Sequence, residues 1–152
     1  METLDADELL SSVVSRFQWR AEESERLLAH DTAAGMPIRG DSLRLEQALG
    51  NLVDNALRHG SGRVNLRAAT VDGSVELHVE DQGHGFPPTY LEHAFERFSR
   101  PQSGREGSGA GLGLSIVKVI AEAHGGVAEA ANGPAGGADV WLVLPRRAGE
   151  PS

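Results

Sequence analysis

The 152-residue chain contains no cysteine, which excludes disulfides and thiolate metal sites and agrees with a reducing compartment. Positive charge is scarce: 14 Lys and Arg stand against 22 Asp and Glu, for a formal net charge of −8. Nucleic-acid binders draw much of their affinity from neutralising phosphates with Lys and Arg, so no such partner is expected. Any phosphate held here must be met by a local arrangement. Long apolar runs are missing as well. The longest, around residues 140–144, falls far short of the ~20 residues that a bilayer span needs. The start, METLDADELL, lacks the basic-then-apolar layout of a secretion signal. The expectation is a soluble, cytoplasmic chain without membrane contact of its own; a longer parent protein is free to carry an anchor.

What the chain does have is periodicity and glycine. Length favours one domain over residues 1–145, followed by a loose polar tail over 146–152. Residues 7–17 carry Leu9, Leu10, Val13, Val14 and Phe17 at helical spacing, and a short strand is expected near residues 26–29. DTAAGMP reads as a loop around Gly35 and Pro37. GDSLRLEQALGNLVDNALRHG then predicts a strong helix, with Asp41 or Ser42 able to cap its start and Gly60 suited to a left-handed position just past its end. RVNLRAAT and VELHVED alternate apolar and polar residues around VDGS, where Asp72-Gly73 is a strong hairpin signal. A further helix should run from near Gly111 to Gly125, and GVAEAA and ADVWLVLP look like two closing strands. Blocks of helix and mostly antiparallel strand predict an α+β fold, a two-layer sandwich with helices on one face of a mixed sheet.

Three places carry candidate chemistry. In the long helix, Leu45, Leu49, Leu52, Val53 and Ala56 share the apolar side, and Asn51, Asn55 and Arg58 form an opposite stripe at spacings of four and three. A solvated face explains each alone. Asparagine is a mediocre helix former, however, and two on one stripe call for a reason. An amide oxygen is a fair Mg²⁺ ligand, and Arg58 beside it suits phosphate. In the hairpin, Val75, Leu77 and Val79 point inward and Asp81 continues that row, so its carboxylate should be accepting hydrogen bonds. Either Asp81 bonds its own turn backbone, or it accepts from the exocyclic amine of adenine, with Gly83 and Gly85 letting a flat ligand approach. In GSGAGLGLS, Gly109, Gly111 and Gly113 sit at the mouth of a helix whose unpaired N–H groups favour a phosphate chain. A P-loop is excluded, since Leu114 stands where Lys is needed. A dinucleotide fingerprint lacks its upstream strand. The stretch RPQSGREGS before it looks like a mobile flap.

In this order, the segments resemble the catalytic and ATP-binding domain of bacterial sensor histidine kinases, a branch of the Bergerat-fold ATPases. NLVDNALRH is similar to the N box of that family, DQGHGFP to its G1 box, FERFSR to its F box and GAGLGLSIVK to its G2 box, with HGG and a terminal LP after them. The resemblance implies a flexible ATP lid and Mg-ATP as cofactor. It implies that Asn55 coordinates Mg²⁺, that Asn51 lines the same site, and that Arg58 and His59 fill the positions of the usual basic and aromatic neighbours. Asp81 matches the adenine-reading aspartate, with Gly83 and Gly85 beside it, and Phe95 and Phe98 match the lid-positioning aromatics. Arg97 and Arg100 reach toward the γ-phosphate in this reading, and Gly109, Gly111, Leu112, Gly113 and Leu114 line the nucleotide at the helix mouth.

Two departures refine the expectation. Hydrolysing and serine-phosphorylating members carry a glutamate four residues before the metal asparagine; Asn51 stands there, and an amide cannot act as a general base. A histidine acceptor needs none, since neutral imidazole is already nucleophilic. Secondly, of His30, His59, His78, His84, His93 and His124, only His30 precedes an acid, and Gly35 and Pro37 would break the helix that the family's acceptor motif requires. The expected partners are therefore a phosphoacceptor dimerisation domain, in cis or in trans, and a downstream response regulator.

Overall fold

The computed structural model describes residues 1–31, 36–87, 91, 94–96, 112–134 and 136–145. The tail over 146–152 and the glycines at 107, 109 and 111 lie outside them.

The element order is β1 (Glu2–Asp5), α1 (Ala6–Glu23), β2 (Leu28–Asp31), β3 (Pro37–Gly40), α2 (Ser42–His59), β4 (Val64–Val71), β5 (Ser74–Glu80), α3 (Leu112–Ala123), β6 (Val127–Asn132) and β7 (Ala138–Pro145). Five strands form one sheet in the order β2-β4-β5-β7-β6, in which β2 runs parallel to β4 and the other neighbours pair antiparallel. β1 and β3 make a separate two-stranded ribbon. Each central strand buries alternate residues: Val64, Leu66 and Ala68 on β4, Val75, Leu77 and Val79 on β5, Ala138, Val140, Leu142 and Leu144 on β7. That row meets the apolar sides of the helices, including Leu9, Leu10 and Val13 of α1, Leu45, Leu49, Leu52 and Val53 of α2, and Leu114, Val117 and Ile120 of α3. The result is the expected two-layer sandwich. None of the described helices is long and apolar enough to cross a membrane.

Several expectations shift. α1 continues six residues past Phe17, to Glu23, because Ala21 still finds core on that side. β2 begins at Leu28, two residues later than expected, and β1 and β3 were not foreseen; each is only four residues long. Asp41 is the cap of α2, its Oδ1 accepting from the Arg44 N–H at 3.2 Å. Asp72 and Gly73 both take positive φ, 48° and 81°, the twist that a two-residue hairpin turn needs. Gly60 corrects a sequence expectation: its φ of −94° and ψ of −170° are extended, not left-handed. Glycine is needed there for space, as the site makes plain.

Candidate functional site

α2 places the amide stripe. Its buried face fixes the helix rotation, which leaves Asn51 and Asn55 half-buried and Arg58 and His59 exposed. Asn51 then joins two elements: its Nδ2 donates to the carbonyl of Gly113 at 3.3 Å, in the first turn of α3. The α2 stripe and the glycine-containing mouth of α3 are thus neighbours, as one shared phosphate site would require. A Cβ on Gly113 would meet none of the described residues within 4 Å. The Leu114 side chain is buried in the core, and a ligand at this end reaches its backbone alone. Arg58 bonds on its own helix: its Nε donates to both carboxylate oxygens of Asp54, at 3.1 and 3.0 Å. Asp54 also accepts from Arg20 on α1 at 2.8 Å. Asp54 therefore orients the cation that the sequence pointed to, a role that no motif signalled.

Asp81 follows directly on β5 and is half-buried. Its Oδ1 accepts from the Gly83 N–H at 2.8 Å, closing its own turn, and from the Ala138 N–H of β7 at a long 3.4 Å. The Asp81 N–H donates to the Ala138 carbonyl at 3.0 Å. Both readings of this aspartate therefore keep a place: one oxygen serves the turn, and Oδ2 has no protein donor among the described residues. Oδ2 lies over Gly60, where any Cβ would overlap it. That close approach, rather than a left-handed backbone, is why glycine ends α2. Beyond Asp81, Gly85 takes φ 78° and packs against Asn132 and the Gly136 carbonyl, and the Phe86 ring is buried. The F-box residue Phe95 packs against the core. Arg97, Phe98, Arg100, Gly109 and Gly111 lie outside the described residues, as does the Leu112 side chain.

The oxygen donors of the stripe are the amides of Asn51 and Asn55, since the neighbouring Asp54 carboxylate is engaged by Arg20 and Arg58. That set suits an oxygen-preferring cation that keeps several waters and takes its remaining ligands from phosphates, as Mg²⁺ does. Either amide oxygen could serve such a cation, since the Asn51 bond to Gly113 engages its nitrogen and not its oxygen.

A stripe of amides abutting a helix mouth, with an acid at a strand's end on the same side of a two-layer sandwich, defines a class of nucleotide-binding domain. The chain belongs to the histidine kinase-, DNA gyrase B- and HSP90-like ATPase family, whose sequence profile matches residues 40–148. It is 43% identical over 105 residues to the sensor histidine kinase component HK1 of Mycobacterium tuberculosis, covering 69% of this chain and 62% of that protein. Among solved structures, the mycobacterial sensor histidine kinase MprB superposes with a TM-score of 0.83 at 33% identity, over 96% of this chain and 99% of that one. Full-length ShkA in complex with AMPPNP gives 0.82 at 33% identity, over 93% of this chain and 30% of that one. The chain is thus a histidine kinase-type ATP-binding domain, and it spans less than two thirds of HK1.

His30 lies on strand β2, paired with β4 and linked to Asp7 at 3.2 Å. A strand position does not fit the helical setting of an acceptor motif, in agreement with the sequence reading. Sequence reasoning missed Asn132, whose amide grips the backbone of Phe86; inside ANGPAGG it looks like any turn asparagine.

Proposed function

We propose that this chain is the catalytic module of a two-component sensor histidine kinase, binding Mg-ATP and passing the γ-phosphoryl to a histidine on a separate dimerisation domain. The observation that carries the reading is the bond from Asn51 to Gly113, which sets the α2 amides against the glycine-containing mouth of α3. Asp81 and Gly60 stand at the C-terminal end of α2. In this reading the purine amine donates to Asp81 Oδ2, and the triphosphate runs along the amide stripe to the N-terminal turn of α3, whose dipole favours an anion. Asn55 holds Mg²⁺, which when bound neutralises charge on the phosphates.

The chain contributes positioning and charge compensation rather than covalent chemistry. A neutral imidazole nitrogen of the acceptor attacks Pγ. The bond from Pγ to the β,γ-bridging oxygen breaks, its electron pair leaves with ADP, and the imidazole proton passes to water. Asn51 offers no base for activating water or a serine hydroxyl. Arg97 and Arg100 supply positive charge near the γ-phosphate, and Arg58, steered by Asp54, supplies it beside the metal amides. A response regulator then takes the phosphoryl from the acceptor histidine.

The test is labelled Mg-ATP with the purified chain and a dimerisation domain from a candidate partner. Label stable to base and lost in acid, as on phosphohistidine, supports the reading. Label on serine, or tight ATP binding with no transfer to any acceptor tried, contradicts it.

A further inference from the structure

Asn132 is the last residue of β6 and lies across from Ala138, the first residue of β7. Its side chain makes a two-point bond to one residue of another element: Oδ1 accepts from the Phe86 N–H at 2.7 Å, and Nδ2 donates to the Phe86 carbonyl at 3.0 Å. Only a primary amide among neutral side chains offers a donor and an acceptor side by side in this way. The pair imitates what one more strand residue would supply to an extended backbone.

The effect falls on the loop from Asp81 to Phe86. At its first end the Asp81 N–H and carboxylate meet Ala138. At its second end Phe86 is gripped by Asn132, and its ring is anchored in the core. Both grips come from one hairpin end, which is itself closed by bonds from Gly133 N–H to the Gly137 carbonyl (2.7 Å) and from Gly136 N–H to the Gly133 carbonyl (2.9 Å). Between the grips lie Gly83, which donates to Asp81 Oδ1, and Gly85, which at φ 78° packs on Asn132 itself.

From this geometry we infer that Asn132 is a specificity-positioning residue: it brackets the glycine loop so that Asp81 Oδ2 is held where it reads the exocyclic amine of adenine. This rests on the purine placement proposed above. Asn132 touches no nucleotide in this account; it acts through Phe86 and the loop.

Asn132→Asp is the informative variant, because it keeps shape and acceptor, removes the donor, and sets a carboxylate against the Phe86 carbonyl. Affinities for Mg-ATP and Mg-ITP are measured by calorimetry on the unmodified chain, Asn132→Asp and Asn132→Ala. Inosine presents a carbonyl where adenine has its amine, so ITP lacks the contact with Asp81. In both variants ATP binding should weaken about tenfold, the scale of one lost hydrogen bond, while ITP binding changes little and the preference for ATP shrinks. Parallel weakening of ATP and ITP, leaving the ratio intact, reveals general loosening and overturns the inference, as does an unchanged ratio with unchanged affinities. An unmodified chain that does not prefer ATP over ITP overturns the purine placement together with it. Amide exchange at Phe86 in the unmodified chain is a second readout independent of any folding defect. Slow exchange, slowed further by ATP but not by ITP, is expected; exchange at the rate of a free amide refutes the bracket.

Discussion

The substitution Gly60→Ala separates two explanations of why α2 ends in glycine. A left-handed cap would make alanine costly through backbone strain, and the loss would appear as stability. Gly60 has φ −94° and ψ −170°, a region open to any residue, so backbone strain contributes little. The added methyl instead overlaps Asp81 Oδ2 and comes within 2.9 Å of the Ala56 carbonyl. Helix backbone yields less readily than a carboxylate, so Asp81 must turn away. Turning costs the 2.8 Å bond from Gly83 N–H, a charge-assisted bond worth roughly 1.5–3 kcal/mol, and takes Oδ2 from its place. If adenine binds Oδ2, a comparable amount is lost from affinity, so Mg-ATP should bind about 10- to 100-fold more weakly. Calorimetric titration of wild type and Gly60→Ala measures this, with far-UV circular dichroism confirming the fold. Undiminished ATP affinity in a folded variant would refute the reasoning, because Asp81 would then be displaced without consequence for the purine.

Other substitutions probe the remaining parts. Asp81→Ala should remove most adenine affinity, and Asn55→Asp should abolish phosphoryl transfer to a supplied dimerisation domain while leaving the melting temperature nearly unchanged; transfer at wild-type rate in either variant contradicts the site. Asp41→Ala removes the cap of α2 and should cost about 1 kcal/mol in urea unfolding. On the face of the sheet away from the helices, His78 is buried, stacks on Trp141 at 4.9 Å, and lies 2.8 Å from both Glu76 and Asp139. Carboxylates only accept, so both contacts are full hydrogen bonds only when the ring is protonated, and they favour that form. Burial opposes that charge, but the bonds to Asp139 and Glu76 outweigh it and lift the pKa above 6.5. The resulting stabilisation is fully present below about 6.5 and is lost as pH rises through the raised folded value. Urea midpoints should therefore fall across that range in wild type and less so in His78→Gln; equal slopes would show that His78 is not charged in the fold.

How much of this was legible in the sequence depends on the length of the signal. α2 and the β4–β5 hairpin carry many periods of apolar spacing and a two-residue turn with a steric requirement, and both stand where expected. β1 and β3 hold four residues each, too few for a period, and exist through pairing with each other. Gly60 was recognisable as necessary, yet the reason lay in a carboxylate 21 positions along the chain, which no local rule contains. The stripe of Asn51 and Asn55 was readable because helical geometry makes neighbours of residues four apart. Asn132 was not, because its partner Phe86 is 46 residues away, and an asparagine before Gly-Pro resembles an ordinary turn former.

The central claim concerns where a nucleotide lies, and a crystal structure of the chain grown with Mg²⁺ and a non-hydrolysable ATP analogue tests it most directly. The account predicts the purine amine about 3 Å from Asp81 Oδ2, the metal on the Asn55 oxygen, and phosphates against the mouth of α3. A nucleotide bound elsewhere, or none bound at saturating analogue, would contradict it.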